Sequence, residues 1–441
     1  MFRRTSVLLT TTLLASLVAV PATAHGGSDD GRRLPGQRVA YFTAWSAYSG
    51  FSPKKVQESG QAAKLTVINY AFGNISPEGT CFAGNVADQA DAWVDYQRPF
   101  DAADSVDGVG DAWEQPLKGS FNQLRKLKAK NPHLKVVISI GGWGWSKYFS
   151  DVAATDAARK KFVASCVDLY IKGNLPELGD APGGGPGSAA GVFDGIDLDW
   201  EHPGGDGLPD NHVRPEDGRN FTLLLAEFRR QLDAEGNRGR QRHLLTAAVA
   251  NATQIADRLE LRKVARHVDF LNLMTYTFHG SWEPQGPTNH QANLYTDPAD
   301  PSGPAESYSA DKVVQHYLAG GLPARKAVLG VPFWGPGWTG VPAGTKNGLY
   351  QPATGLSPLG GGALPYKAIK DLPGTVTVDR RTGASWKYDG NEFWSYDTPA
   401  SANQKARYTR DNDLGGVMVW SLDADDDQGS LITALDRGLR R

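Results

Sequence analysis

Eight short runs rich in β-branched and aromatic residues recur along the chain, and most are followed by a stretch with helical spacing. They are RVAYFT (38–43), TVINYAF (66–72), KVVISI (135–140), VFDGIDLDW (192–200), LLTAAV (244–249), VDFLNLMTY (268–276), KAVLGVP (326–332) and GGVMVW (415–420). Between them, DAARKKFVASCVDLYIKG, PEDGRNFTLLLAEFRRQLDAEG, SADKVVQHYLAGG and SANQKARYTRDNDLGG carry apolar residues at helical intervals; the second has an acid-rich first turn and ends at a glycine. Eight strands alternating with helices predict an α/β protein built as a closed (β/α)8 TIM barrel. An open doubly wound sheet is the competing architecture. The count of eight and the lack of a glycine-rich nucleotide loop disfavour it.

The connections after the second, sixth and seventh strands are long. The last, 338–395, contains LPYKAI, GTVTVD and ASWKYDGNEFWSYD, which predicts a small α+β insertion inside a catalytic barrel of residues 38–441. Such loops lie at the C-terminal end of a barrel, where active sites are built.

Residues 1–24 combine Arg3 and Arg4, the apolar run Val7–Val20 and a small-residue Ala22-Thr23-Ala24 site, the pattern of a secretory signal peptide. The run is short for a membrane span. Residues 25–37 are polar and read as a flexible N-terminal segment. Removal of the leader takes the formal charge from −2 to −4, because it holds two Arg and no acid. A mildly acidic protein without a dense basic block is a poor partner for nucleic acid. No later segment could span a bilayer. A secreted, extracellular monomer is the expectation. Export leaves both a Cys81–Cys166 disulfide and two separate buried thiols open, and favours the disulfide.

The fourth run places four acids in a strand that otherwise reads as buried. Side chains alternate between faces, so Asp197, Asp199 and Glu201 share one face and point into the barrel, while Ile196, Leu198 and Trp200 face the helices. Asp194 has the opposite parity and is expected to bond backbone groups. Closely spaced carboxyls resist full ionisation, so a proton is held near neutral pH, and a glutamic acid at the mouth of the barrel suits proton donation. A surface acidic run is the bland alternative, which the apolar alternation opposes. A Mg²⁺ or Ca²⁺ site is another, but no further ligand cluster accompanies the three acids, and no metal or other cofactor is expected.

DGIDLDWE resembles the Asp-x-x-Asp-x-Asp-x-Glu signature of family 18 glycoside hydrolases, the chitinases. SIGGW (139–143), NLMTY (272–276), GVPFWGPGW (330–338) and GGVMVWSLDAD (415–425) resemble the family's motifs at strands three, six, seven and eight, in the same order. The resemblance spans nearly all of 38–438, and the insertion after strand seven is similar to that of deep-cleft bacterial chitinases. It implies a secreted enzyme that hydrolyses β-1,4 bonds of chitin and its oligosaccharides by substrate-assisted, retaining catalysis. In that scheme Glu201 is the acid and then the base. Asp199 orients the acetamide N–H, Asp197 shares a proton with Asp199, and the Tyr276 hydroxyl steadies the acetamide oxygen.

The chain has twelve Trp and fifteen Tyr, and sugar rings stack their C–H faces on aromatic rings. Trp420 is expected under the sugar being cleaved, and Trp143 and Trp282 along the cleft. Tyr41 and Phe72, ending strands one and two, line the same pocket, and Met274 and Trp334 complete the substrate-binding set. Two positions depart from the family pattern. Thr277 stands where an Asp is usual, and Trp334-Gly335-Pro336 stands where Tyr-Gly-Arg is frequent. The alternatives are an endo-β-N-acetylglucosaminidase acting on N-glycans and a weakly active, lectin-like relative.

Overall fold

The computed structural model describes residues 36–440 except 180, 240 and 304–306. The expected signal peptide and nearly all of the 25–37 segment lie outside the described residues. Gln37, assigned from sequence to that segment, is the first residue of a strand.

Eight parallel strands form the barrel: β1 (Gln37–Thr43), β2 (Val67–Ile75), β3 (Lys135–Gly141), β4 (Gly195–Asp199), β5 (Leu244–Val249), β6 (Phe270–Leu273), β7 (Ala327–Pro332) and β8 (Gly416–Trp420). Each pairs with its sequence neighbour, and β1 pairs with both β2 and β8, which closes the sheet. Two strands are shorter than their apolar runs suggest. The β4 ladder stops at Asp199, and β6 stops at Leu273, so Glu201, Met274 and Tyr276 stand beyond the strand ends.

The two faces of β4 behave as alternation requires. Ile196, Leu198 and Trp200 are buried against the helical layer, where the Trp200 ring stacks on Phe149 at 5.3 Å. Asp194, on that side, accepts the Val136 N–H at 2.9 Å and pairs with Lys128 at 2.7 Å, so it joins the bottom of β4 to β3. The barrel interior is packed by Val39, Val67, Val137, Val328 and Met418, among others.

Side-chain caps open some of the helices. Ser309 accepts the Lys312 N–H at 3.2 Å ahead of Ala310–Ala319. Thr398 and Ser401 form a reciprocal capping box around Pro399, which opens the helix Pro399–Asp411. The helix Asp217–Gly239 runs through Gly236, where the sequence suggested an end. A side chain at Gly236 would meet the Gln241 carbonyl at 2.1 Å, so that glycine serves the returning loop.

The insertion is a separate antiparallel sheet built on Trp334–Thr339, with Phe393–Ser395, Ala384–Tyr388 and Thr375–Asp379 following on one side. It begins at Trp334, directly after β7, rather than at 338. Its own small core gathers Trp338, Val341, Leu349, Trp386 and Phe393. Cys81, on a short strand beside β2, forms a disulfide with Cys166 at the end of the helix Asp156–Cys166. Among the described residues no helix is long and apolar enough to cross a membrane.

Candidate active site

A cleft of about 710 Å³ opens at the C-terminal end of the barrel. Asp199, Glu201, Met274, Tyr276, Thr277 and Trp334 line it, together with the aromatic residues Tyr41, Phe72, Trp143 and Trp420. Barrel closure therefore gathers nearly all the residues singled out from sequence.

Asp197 sits one row deeper. Register places Ser139 of β3 and Thr246 of β5 directly beside it. The Ser139 hydroxyl donates to Asp197 at 2.7 Å, Thr246 at 2.5 Å, Tyr41 from across the barrel at 2.9 Å and the Asn272 amide at 3.3 Å. Burial raises the Asp197 carboxyl above its ordinary range, and these four donors pull the other way. Asp199, one row up on the same face, feels the charge of Asp197, and its Oδ1 accepts no hydrogen bond from a neighbouring donor. Side chains two residues apart on a strand are separated by about 7 Å along it. The neighbours in its own row hold Asp197 there.

Asp199 and Glu201 lie together, largely buried, on the cleft wall. Burial, then the charge of Glu201, then that of Asp197 hold the Asp199 carboxyl well above the usual carboxylate range. Burial alone pushes Glu201 up to about 7. The pair therefore retains a proton near neutral pH, and Glu201 is the member beyond the strand end. His202 Nε2 lies 3.7 Å from the Glu201 carboxyl, but burial pushes that imidazole down to about 4, so it is neutral beside the acid. The Tyr276 hydroxyl is kept protonated by burial and by the surrounding acids, and contacts the Met418 sulfur at 3.9 Å. It is a donor with only a weak partner.

The floor is aromatic. Trp420, the last residue of β8, stacks on Phe72 with ring centres 5.7 Å apart and leans on Tyr41 at 5.2 Å. Phe72 lies within β2 rather than at its end, at a register shift between Ala71 and Gly73 that turns its ring toward the cleft. Gly142, in the strand-three motif, has φ +75°, and a Cβ there would lie 2.6 Å from the Phe72 ring. Only glycine lets the chain pass, and its N–H then donates to the Asp199 carbonyl at 2.8 Å.

Trp282 is the exception. It is 57% exposed, its ring lies over Gly280, and it is not part of the cleft wall. Its place in a loop after β6 carries no strand register to aim it. Conversely, Trp45, Asp88, Trp145 and Asn251 line the cleft without having been singled out. Trp45, two residues past β1, could have been found by the same rule that found Trp143. A second cavity of about 780 Å³ adjoins the first, sharing Trp45, Phe72, Asp88 and Trp145 and adding Trp93 and Trp113. Among the described residues no group of three or more His, Cys, Asp or Glu is arranged to hold a metal ion.

Residues 37–425 match the model of glycosyl hydrolases family 18, and the chain belongs to that family. It is 36% identical over 423 residues to chitinase C of Streptomyces lividans, covering 93% of this chain and 61% of that one. The catalytic domain of psychrophilic chitinase B from Arthrobacter TAD20 superposes with a TM-score of 0.88 at 44% identity, over 92% of this chain and 95% of that one. A family 18 N-acetylglucosaminidase from Paenibacillus barengoltzii superposes with a TM-score of 0.69 at 28% identity, over 91% and 99% of the two chains. The chain spans roughly three fifths of the length of the first curated relatives it matches, at 61%, 60% and 64%.

Proposed function

We propose that the protein is a secreted chitinase that cleaves β-1,4-linked N-acetylglucosamine polymers with retention of configuration. The observation that carries this reading is Glu201, a carboxyl raised to about 7 on the cleft wall above an aromatic floor. A group that holds its proton near neutral pH is matched to protonating a glycosidic oxygen. The second requirement is a nucleophile. Asp199 is buried and held toward its neutral form, which makes it a poor one. The substrate's own acetamide oxygen takes the role, as family 18 chemistry allows.

In this scheme the sugar being cleaved rests on Trp420. Glu201 gives its proton to the leaving oxygen as the acetamide oxygen closes on the anomeric carbon. Asp199 accepts the acetamide N–H on a carboxyl oxygen as positive charge develops on that nitrogen, and the Tyr276 hydroxyl donates to the acetamide oxygen. Glu201 then takes a proton from water as the cyclic intermediate opens. The second, tryptophan-rich cavity extends the path for a long glycan. The pattern of residues 1–24 supports export.

A time course of chitohexaose cleavage with anomer ratios tests the reading. Products should appear first as β-anomers. Initial α-anomers would exclude retention. No cleavage of chitohexaose, with release of N-glycans from a glycoprotein, would favour the endo-β-N-acetylglucosaminidase instead.

A further inference from the structure

The β4 ladder ends at Asp199, which pairs with Gly141 and Ala248. Glu201 lies two residues further on, so no sheet hydrogen bond fixes the acid. Its backbone is nonetheless held at both ends by side chains. The Glu201 N–H donates to the Ser146 hydroxyl at 2.9 Å, and that hydroxyl donates in turn to the Gly142 carbonyl at 2.8 Å. The Glu201 carbonyl accepts the Asn211 amide at 3.0 Å. Gly207 permits this: a Cβ there would lie 2.1 Å from the Glu201 carbonyl oxygen and 2.7 Å from the Asn211 amide nitrogen.

The two arms are also tied to each other. His212, next to Asn211, donates its N–H to the carbonyl of Lys147, next to Ser146, at 3.0 Å. The His212 ring meets Asp151 at 2.5 Å and packs edge-on against Tyr148, with ring centres 5.4 Å apart. Arg214 bonds the other Asp151 oxygen at 2.7 Å. The loops after β3 and β4 thus form one assembly around the acid's peptide groups.

We propose that Ser146 and Asn211 are positioning residues, which hold Glu201 in the place from which it transfers a proton by gripping its own N–H and C=O. This rests on the reading of Glu201 as the proton donor. Neither residue lines the cleft. Displacing a reacting group by about 1 Å can cost on the order of a hundredfold in rate, so the clamp acts on turnover and not on substrate affinity.

Ser146→Ala and Asn211→Ala test it. Each should lower kcat on chitohexaose by about tenfold or more, with KM within about twofold and the melting temperature little changed. Binding of chitohexaose to each variant in a Glu201→Gln background should match that of Glu201→Gln alone. A readout without turnover is the Glu201 carboxyl titration, followed by carbon NMR in the free protein. It should fall from about 7 toward the ordinary 4.5 in both variants, because a released side chain leaves the pocket it shares with Asp199, His202 and Tyr276. An unmoved titration in both variants would overturn the proposal, as would a loss of affinity and melting temperature in step with kcat. Ser146 is fully buried; if its variant does not fold, Asn211→Ala decides alone. If the unmodified protein does not cleave chitohexaose, the functional reading fails, and the titration still decides the clamp.

Discussion

The indole N–H of Trp145 donates to the backbone carbonyl of Asp88 at 2.8 Å, at the junction of the two cavities. Asp88 sits at the tip of a hairpin pairing Asn85–Val86 with Ala90–Asp91, and the bond joins that hairpin to the loop after β3. On the other side the Tyr48 hydroxyl donates to Asp91 at 2.7 Å. The wall between catalytic cleft and second cavity is therefore fastened from both flanks.

Substrate length should register this wall. Trp93 lines only the second cavity, where it lies 6.5 Å from Trp113. An aromatic contact of this kind is worth about 0.5–1.5 kcal/mol, which corresponds to a two- to tenfold effect. Trp93→Ala should lower kcat/KM on chitohexaose or polymer by that factor and leave chitotriose unaffected. Equal losses on both substrates would show that the second cavity takes no part in holding the chain.

The raised Glu201 carboxyl sets a pH dependence whose sign follows from linkage. Its folded value, about 7, exceeds its ordinary value of 4.5, so the folded state binds the proton more tightly. This contribution to stability is complete below pH 4.5 and is lost as pH rises through about 7. Glu201→Gln cannot ionise. It should melt higher than the unmodified protein at pH 8, with the difference shrinking toward pH 5, while turnover falls by about a hundred- to ten-thousandfold. Parallel melting curves across that range would show that Glu201 is not buried in its protonated form.

Cys81 and Cys166 lie 85 residues apart in sequence, and their disulfide joins the β2 extension to a helix of the outer layer. Crosslinks closing long loops stabilise by roughly 2–4 kcal/mol. Cys81→Ser with Cys166→Ser should lower the denaturation midpoint by a corresponding amount without altering the chitohexaose product pattern, because neither sulfur lies on the cleft wall. A changed product pattern would place the disulfide in control of the site.

What was legible in the sequence is what periodicity writes there. Two-residue alternation separates Asp197 and Asp199 from Asp194, and the structure puts the first two inside the barrel and the third against Lys128 and β3. Eight apolar runs predict the closed barrel, yet not where each strand stops, because Met274 and Tyr276 continue the apolar pattern past Leu273, the last residue of β6. Asp197 and Asp199 share a face, but only cross-strand register shows that Ser139 and Thr246 are bonding neighbours of Asp197. Exposed loop aromatics are the least readable: Trp45 and Trp282 look alike as letters, and one lines the cleft while the other does not. Ser146 and Asn211 bond backbone atoms of Glu201, an interaction without a compositional signature.

Thr277 brings conformation and charge together. It lines the cleft with φ +61°, a left-handed conformation that a β-branched residue adopts only at a cost of about 1–3 kcal/mol. Asn251, also on the cleft wall, holds the turn, its amide donating to the Tyr276 carbonyl at 2.5 Å and the Thr277 carbonyl at 3.4 Å. Asn and Asp enter this region more easily than Thr. Thr277→Asn should therefore raise the melting temperature and leave the pH profile in place, since it adds no charge. Thr277→Asp has the same backbone preference but introduces a carboxylate on the wall shared with Glu201. A nearby negative charge disfavours ionisation of the acid, so the basic limb of kcat/KM, expected near pH 7, should move to higher pH. The comparison that decides is Thr277→Asp against Thr277→Asn, because their shapes match and only the charge differs. Coincident basic limbs in the two variants would mean that residue 277 does not act on Glu201, whatever happens to the melting temperature.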